Sequence, residues 1–318
     1  MSELTAHAVV VEAPEHIQFR QLNLVPPGDA DVVVNIDFSG ISTGTERLIW
    51  NGTMPPFPSM GYPLVPGYES VGQIVAAGPD SERQPGQFVF VPGSRCFGDV
   101  RGLFGGAASR VVVPGNRTIP IDRGLESRGV LMALAATAYN AIRIPEGGFR
   151  IPDLIIGHGV LGRLLARLAM AMGDASPVVW EIDDVRRAGD FAYKITAAED
   201  DERTDYHAIY DASGAGEALD DWIGRLAPAG EIVLAGMYHQ RLSFDYSPAF
   251  MRRARFRVAA EWQPGDLDAV SQLVHSGRLS LDDLITDCKR PQDAQDAYVD
   301  ALTNPANLKT ILDWRDFH

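Results

Sequence analysis

The sequence predicts an α/β protein with two kinds of domain, and three observations lead to this prediction. Short β-branched runs separated by Gly and Pro fill the chain from about residue 8 to about residue 120. Strands alternate with helices from about residue 128 onward. Within that second region, a short apolar strand leads directly into a Gly-x-Gly-x-x-Gly loop and a helix. We therefore expect a mostly antiparallel barrel or sandwich, followed by a doubly wound parallel sheet.

The individual elements follow from the spacing of apolar residues. In the first region, strands are predicted at residues 8–11, 31–36, 70–75, 87–91 and 110–113. In the second, they are predicted at residues 154–156, 177–180, 208–211 and 231–236, with helices between them. The tail should contain a helix from about residue 266, a turn at Gly277, an acidic helix near 291–303 and a closing strand at 309–312.

The loop after the strand at 154–156 predicts a dinucleotide-binding site. Gly157 permits the tight turn, Gly159 lets the backbone approach a pyrophosphate, and Gly162 lets the following helix pack on the strand. The phosphates would lie at the positive end of that helix. The remaining members of the expected loop contact set are His158, Val160 and Leu161.

An acidic residue after the next strand indicates which dinucleotide is bound. Glu181 stands nineteen residues beyond Gly162, where a carboxylate would accept hydrogen bonds from ribose hydroxyls. Because such a carboxylate repels the additional phosphate of NADP, NAD is the expected cofactor. Arg186 and Arg187 could swing toward a 2′-phosphate, although exposed helix charges are the simpler interpretation.

Composition excludes several classes of function. The 318 residues suffice for two domains, and 46% hydrophobic with 22% charged residues is typical of soluble globular proteins. A net charge of −14 opposes a nucleic-acid partner or attachment to anionic lipid. No signal segment or membrane-length apolar run is evident, so we expect a cytoplasmic protein without stable membrane insertion. Cys96 and Cys288 fit a reducing compartment and cannot form a four-thiolate zinc site.

The order of these parts resembles the medium-chain dehydrogenase/reductase superfamily over essentially the whole chain. The matching segments include Gly-Ile-Ser-Thr-Gly-Thr-Glu at 40–46, Pro-Gly-Tyr-Glu within 65–72, and residues 137–141, 157–162, 226–230 and 308–312. The resemblance implies a GroES-like β-barrel catalytic domain at 1–135, a Rossmann NAD-binding domain at 136–262, and a segment at 263–318 that returns to the catalytic domain. It also implies an active site in the cleft between the domains and, by analogy, a homodimer.

The chain departs from the zinc-dependent members of this superfamily at each metal position. In those members a cysteine stands at the position of Ser42, a histidine at that of Tyr68, and a second cysteine near that of Ala133. The loop that would hold a structural zinc contains one cysteine, Cys96, and no histidines are paired at metal-ligand spacing. We therefore expect no metal and a zinc-independent hydride transfer.

The zinc-free segments are similar to those of family members that act on bacteriochlorophyllides. This resemblance implies NAD-dependent oxidation of the 3-(1-hydroxyethyl) group of a tetrapyrrole to 3-acetyl. An NADPH-dependent enone or quinone reductase on the same scaffold is an alternative, and Glu181 opposes it. A non-catalytic NAD-binding sensor is another, and the intact hydroxyls of Ser42, Thr43 and Tyr68 weakly oppose it.

Alcohol oxidation requires a group that accepts the hydroxyl proton. Ser42 and Thr43 fall where the family places its metal ligand and proton relay, although they could instead cap the following helix. Tyr68 could act as a hydrogen-bonding phenol or pack under the barrel, and Glu69 could act as a base or pair with an arginine. His158 could relay a proton or fill the loop.

The remaining candidates concern the macrocycle and the cofactor. Aromatic faces suit a porphyrin-like plane, so Trp50, Phe97 and Tyr238 are candidate substrate contacts, although each could belong to the core. His239 could ligate a central magnesium or lie in a surface loop. Strand ends line the ligand crevice of such sheets, and the resemblance places further cofactor contacts at Ser213, Gly214, Gly236 and Met237.

Overall fold

The computed structural model describes residues 4–318 apart from 57, 59, 146, 174, 175 and 264. The chain forms two compact units. The first unit comprises Met1–Ala133 together with Asp282–His318, and the second unit comprises Leu134–Leu281. The C-terminal return to the first unit therefore begins at Asp282, whereas the sequence placed it at 263. The reason is the helix after residue 265, whose Asp266 pairs with Arg143 at 3.1 Å and so holds the helix in the second unit.

Among its described residues, the first unit begins with nine strands and one α-helix. They are β1 (Thr5–Ala13), β2 (His16–Asn23), β3 (Asp31–Gly40), α1 (Thr45–Trp50), β4 (Leu64–Val65), β5 (Ser70–Ala77), β6 (Phe88–Val91), β7 (Arg101–Gly102), β8 (Arg110–Pro114) and β9 (Ile119–Pro120). Helix α2 (Met132–Ile142) starts where this part of the unit ends.

The second unit is the parallel sheet with its helices. Its elements are β10 (Leu154–Ile156), α3 (Val160–Met172), β11 (Val178–Trp180), α4 (Asp184–Arg187), β12 (Lys194–Thr196), β13 (Tyr206–Asp211), α5 (Leu219–Arg225), β14 (Leu226–Leu234), α6 (Tyr246–Arg252), β15 (Arg255–Val258) and α7 (Asp266–His275). The six strands pair in the order β12-β11-β10-β13-β14-β15, all parallel. The predicted doubly wound sheet is confirmed.

The C-terminal segment completes the first unit with β16 (Asp287–Lys289), α8 (Ala294–Thr303) and β17 (Thr310–Asp313). Strand β17 pairs antiparallel with β3, so this segment joins the larger sheet, whose order is β16-β17-β3-β5-β6-β9 with β8 on β3. A second sheet has the order β2-β1-β4-β7. The pairing of β17 with the end of β3 brings α8 and the residues before β17 beside the Gly40–Glu46 segment, where the candidate site of this unit lies.

Candidate active site

The glycine loop has the geometry that a phosphate cradle requires. Gly157 follows β10 with φ of 94°, a conformation that favours glycine, and its N–H donates to the Trp180 carbonyl at 2.8 Å. A Cβ on Gly162 would lie 1.9 Å from the Gly157 carbonyl oxygen, so only glycine allows α3 to start this close to the loop. Gly159 occupies the N-cap of α3, which no side chain caps, leaving first-turn N–H groups for an anion.

Glu181 is placed where the sequence predicted it, but its carboxylate already has partners. One oxygen accepts the His158 N–H at 2.7 Å and the other accepts the Asp183 N–H at 3.0 Å. The side chain is buried, at 6% exposure. Glu181 thus holds the second residue of the glycine loop in place, a function that the sequence pattern did not indicate.

The two arginines of α4 differ in their contacts, and neither is a plainly exposed helix charge. Arg187 donates to the Glu181 carbonyl at 2.7 Å and also pairs with Asp184. Arg186 has a guanidinium nitrogen 3.9 Å from where a Cβ on Gly159 would lie. Both side chains are half-buried. Arg186 therefore lies beside the glycine loop, within reach of an anionic ligand.

His158 is completely buried in the second unit. One ring nitrogen lies 2.7 Å from the Arg186 carbonyl and the other lies 2.9 Å from the Tyr193 hydroxyl. Burial, with the nearby charges of Arg163 and Arg186, lowers the pKa of His158 to about 4. The imidazole is neutral at physiological pH and both nitrogens are engaged. This arrangement favours the loop-filling interpretation, and the catalytic role of His158 stays a prediction that the contacts do not support.

The ends of β13 and β14 bring the other predicted cofactor residues together. The buried carboxylate of Asp211 accepts hydrogen bonds from the Ser213 N–H at 2.8 Å, the Gly214 N–H at 3.1 Å and the Tyr238 hydroxyl. A Cβ on Gly236 would lie 2.6 Å from the Gly214 nitrogen, so these two loops touch. Two residues of these loops that were predicted to contact a ligand, Met237 and His239, are exposed. The Tyr238 hydroxyl is committed to Asp211, which leaves only its ring for a substrate.

Three hydroxyls meet at the start of α1 in the first unit. The Ser42 Oγ lies 2.5 Å from the Tyr68 hydroxyl, and the Thr45 Oγ1 lies 3.5 Å from it. No side chain caps α1, whose N-cap residue is Gly44, so the alternative that Ser42 or Thr43 serves as a cap is wrong. Burial, with the charge of Glu69, raises the pKa of the Tyr68 phenol above its usual range. Tyr68 therefore acts at neutral pH as a hydrogen-bonding phenol.

Glu69 forms a buried ion pair with a lysine, Lys309, and not with an arginine as one alternative predicted. Its Oε2 lies 2.6 Å from the Nζ of Lys309, which also donates to the Ile41 carbonyl at 3.0 Å. Both side chains are at most 1% exposed. Burial raises the pKa of Glu69, and the Lys309 ammonium opposes this. The other oxygen, Oε1, has no hydrogen-bond partner among the described residues.

A second buried carboxylate, Glu46, was not predicted as a site residue. It is 1% exposed, accepts the Ser42 N–H at 3.1 Å, and accepts a hydrogen bond from the Tyr298 hydroxyl of α8. Burial raises the pKa of Glu46 to about 7, and the hydrogen bonds from Tyr298 and Ser42 oppose this rise. In the sequence, Glu46 looks like an ordinary first-turn acid that complements a helix dipole. Only its position inside the Gly-Thr-Glu segment could have suggested more.

The two predicted substrate residues of the first unit, Phe97 and Trp50, differ in how deeply they are buried. Phe97 is 2% exposed inside the hydrophobic core, which favours the alternative that its ring belongs to the core, and its contact with a substrate stays a prediction. Trp50 is half-buried, with its ring centroid 6.1 Å from that of Tyr298. Thr43 is also half-buried and has no hydroxyl contact in the cluster, where Thr45 takes the place expected for it.

Comparison with known proteins places the chain in a family. Residues 28–123 match the alcohol dehydrogenase GroES-like domain. The chain is 51% identical to 2-desacetyl-2-hydroxyethyl bacteriochlorophyllide A dehydrogenase of Rhodobacter capsulatus, over 98% of this chain and 99% of that protein. It is 50% identical to the protein of the same name from Cereibacter sphaeroides, over 97% and 98%. The chain belongs to this bacteriochlorophyllide dehydrogenase family.

Solved structures of more distant proteins share the fold of this dehydrogenase. Acetophenone reductase from Geotrichum candidum in complex with NAD has a TM-score of 0.82 at 19% identity, covering 98% of each chain. A putative zinc-binding dehydrogenase from Sinorhizobium meliloti bound to NADP has a TM-score of 0.79 at 20% identity, covering 98% of this chain and 100% of that one. The GroES-like domain and these neighbours confirm the predicted medium-chain dehydrogenase/reductase architecture.

The zinc positions of the superfamily hold a different arrangement in this family member. Ser42 and Tyr68 hydrogen-bond directly to each other, and Ala133, which is buried, supplies only a methyl group. Across the described part of the chain, no group of three or more His, Cys, Asp and Glu side chains could hold an ion. These residues do not fit a zinc ion, because the hydroxyl pair offers neither thiolate nor imidazole. No helix in the described ranges is sufficiently long and apolar to span a bilayer.

Proposed function

We propose that this protein oxidises the hydroxyethyl side chain of a bacteriochlorophyllide to an acetyl group, with NAD as the hydride acceptor and without zinc. The observation that carries the proposal is the full-length similarity, at 51% identity, to a dehydrogenase named for that substrate. In the reaction, the carbinol C–H bond breaks as hydride leaves, the O–H proton is released, and the C–O bond becomes a carbonyl. Bound NAD would supply the two-electron acceptor.

The hydroxyl cluster supports a metal-free route for the proton. The Ser42 and Tyr68 hydroxyls, 2.5 Å apart, would hydrogen-bond the substrate alcohol and pass its proton along a chain of hydroxyls to bulk water. Thr45 extends this chain through its 3.5 Å contact with Tyr68. Glu69 is committed to Lys309 at 2.6 Å, so we assign it the electrostatics of the cluster rather than direct proton abstraction. Because the Tyr68 phenol stays protonated, it orients the substrate oxygen and transfers protons without becoming a free base.

NAD is proposed over NADP because of Glu181. Its carboxylate lies beside the glycine loop and would repel a 2′-phosphate. The same residue opposes the alternative of an NADPH-dependent enone or quinone reductase. The other alternative, an NAD-binding protein without turnover, is opposed by the ordered Ser42–Tyr68 pair, which a sensor would not require.

Purified protein, incubated with a hydroxyethyl bacteriochlorophyllide and either NAD or NADP, tests the proposal. We expect NAD to support conversion to the acetyl product, which the absorption spectrum monitors. With NADP, the conversion should be at least about tenfold slower. A zinc chelator should leave the rate unchanged because the cluster contains no thiolate or imidazole ligand. Loss of activity on chelation, restored by added zinc, would overturn the metal-free mechanism. No conversion with either cofactor would favour the sensor alternative.

We also propose that the protein is a homodimer in the cytoplasm. Among the described residues, strand β15 pairs on one side with β14 and is the last strand of its sheet. Exposed apolar side chains surround it and line an open depression of about 650 Å³, among them Phe244, Phe250, Met251 and Phe256. An unpaired strand edge beside such a patch fits a second copy of the chain. The two free cysteines, Cys96 and Cys288, support the cytoplasmic location.

Sedimentation velocity checks the dimer. The wild-type protein should sediment as a dimer at micromolar concentration, and Phe250→Glu should shift it toward the monomer by placing a charge in the apolar patch. The matched control is Val25→Glu, since Val25 is similarly apolar and 49% exposed but lies in the first unit. A monomeric wild-type protein, or equal effects of the two substitutions, would rule out this interface.

A further inference from the structure

Glu46 is a buried acid that the proposed hydride transfer does not use directly. It lies in the first turn of α1 and is 1% exposed. One carboxylate oxygen accepts the backbone N–H of Ser42 at 3.1 Å, and the other accepts the hydroxyl of Tyr298 from α8. Burying a carboxylate away from water costs free energy unless the carboxylate is hydrogen-bonded or paired with a positive charge. One of these two partners, Ser42, also contributes its hydroxyl to the cluster with Tyr68.

We propose that Glu46 and Tyr298 form a positioning pair for the alcohol oxidation, in which the charge on Glu46 fixes the backbone of Ser42 and thereby sets the Ser42–Tyr68 hydroxyl pair. The proposal rests on the proposed function. Neither residue is assigned contact with the substrate or the cofactor. The pair acts through Ser42, whose N–H and Oγ point to two different partners, Glu46 and Tyr68.

The charged form of Glu46 holds Ser42 more firmly than the neutral form. A hydrogen bond from a peptide N–H to a carboxylate is roughly twice as strong as one to a neutral acid. The negative charge also favours movement of the substrate proton onto nearby hydroxyls. Ionisation of Glu46 should therefore increase the rate of alcohol oxidation.

The surroundings of Glu46 place its ionisation near neutral pH. The titratable groups that face it are Tyr298 of α8, Glu69 before β5, Lys309 before β17, and Tyr68. Burial raises the pKa of Glu46 to about 7, the charge of Glu69 adds to the rise, and Lys309 and the Tyr298 hydrogen bond oppose it. Since Glu69 and Lys309 form a pair at 2.6 Å, their opposite effects on Glu46 partly cancel. Tyr298 is then the partner whose removal should change the titration of Glu46 most selectively.

Two substitutions with different expected outcomes test the pair. In the wild-type protein, kcat/KM for oxidation of the hydroxyethyl bacteriochlorophyllide should rise with pH in a step centred near pH 7. Glu46→Gln keeps the size and an acceptor for Ser42 but removes the charge, so this step should disappear, with roughly three- to tenfold lower kcat/KM at pH 8. Tyr298→Phe removes a donor to the carboxylate, so the step should move to higher pH.

A matched control separates positioning from general damage. Tyr206→Phe removes another buried tyrosine hydroxyl that donates to a carboxylate, that of Asp201 at 2.5 Å, in the second unit. This variant can lose stability, but the midpoint of its pH profile should match the wild type. Infrared difference spectra provide a readout that does not depend on turnover. The carbonyl band of a protonated carboxylic acid should titrate near pH 7 in the wild type and be absent in Glu46→Gln.

The outcomes distinguish this proposal from the proposed function. If the wild type oxidises the alcohol and both variants keep its pH midpoint, the positioning pair is refuted and the function stands. The pair is also refuted if Glu46 titrates near pH 7 in the infrared spectra while the kinetic step persists in Glu46→Gln. If the wild type does not oxidise the alcohol, the proposed function fails and the positioning pair fails with it.

Discussion

Lys309→Met is expected to lower the free energy of unfolding of the first unit by about 3–5 kcal/mol at pH 8. The Lys309 ammonium is the only charged partner of the Glu69 carboxylate among the described residues, at 2.6 Å. Glu69 is completely buried, and its second oxygen already lacks a hydrogen-bond partner in the described part of the chain. Methionine would fill most of the space but leave the carboxylate uncompensated. Urea unfolding, followed by the fluorescence of Trp314 in the same unit, measures the loss.

The loss should depend on pH in a defined direction. Burial raises the pKa of Glu69, and removal of Lys309 takes away the main effect that opposes this rise. An acid whose pKa is higher in the folded protein than in the unfolded chain binds its proton more tightly when folded. The stability that this provides is present below the unfolded pKa and is lost as pH rises through the folded pKa. Lys309→Met should therefore be much less destabilising at pH 5 than at pH 8.

The double variant Glu69→Gln with Lys309→Met is the control for this interpretation. It removes both charges, so most of the stability lost in Lys309→Met should return. If the double variant is as unstable as Lys309→Met at both pH values, lost packing of the lysine stem explains the effect. The ion pair would then contribute little to stability.

The fold was predictable to the extent that local patterns encode it. Apolar strands buried in the parallel sheet, such as β10 and β13, stand out because helices cover both faces. The edge strands β15 and β16 were missed, because their sequences Arg-Phe-Arg-Val and Asp-Cys-Lys place charges where a buried strand has valines. Strand β14 begins at Leu226, earlier than predicted, because Leu226 pairs with Tyr206 across a register shift around Pro228 and Ala229. Such a shift depends on the neighbouring strand and leaves no periodic signal.

In the candidate site, too, the features that depend on local sequence were predictable and the long-range contacts were not. The glycine loop and Glu181 are local features of one strand-loop-helix unit, and their positions followed from spacing alone. The contacts of the hydroxyl cluster join residues that are far apart in sequence: Ser42 with Tyr68, Glu69 with Lys309, and Glu46 with Tyr298. Resemblance could suggest Ser42 and Tyr68 individually, but nothing in the sequence shows which carboxylate receives the lysine and which the tyrosine. For the same reason the resemblance suggested Thr43 and not Thr45, because the sequence does not show which of these hydroxyls faces Tyr68.

Glu181→Ala is expected to weaken NAD binding by more than about tenfold, and NADP binding by much less. The substitution removes the proposed acceptor for the ribose hydroxyls of NAD, one of which carries the phosphate in NADP. It also removes the repulsion that a 2′-phosphate experiences. Without the opposing carboxylate, the positive charge of Arg186, which lies beside Gly159, would favour the additional phosphate. Isothermal titration with each cofactor gives the two dissociation constants.

The structure adds a complication that a second substitution resolves. Glu181 also accepts the backbone N–H groups of His158 and Asp183, at 2.7 and 3.0 Å, so alanine should disturb the glycine loop for both cofactors. Glu181→Gln removes the charge while keeping the size and one acceptor oxygen. We expect it to reduce the preference for NAD over NADP by about tenfold with a smaller loss of NAD affinity.

The control for charge alone is Asp190→Asn, because Asp190 lies in the same part of the chain and is exposed. It should leave the cofactor preference unchanged, since an exposed charge is screened by solvent. Two results then separate the two functions of Glu181. A reduced preference in Glu181→Gln assigns the selectivity to the carboxylate charge. Equal weakening of NAD and NADP in both Glu181 variants would show that the residue only holds the loop, and the assignment of NAD would lose its physical basis.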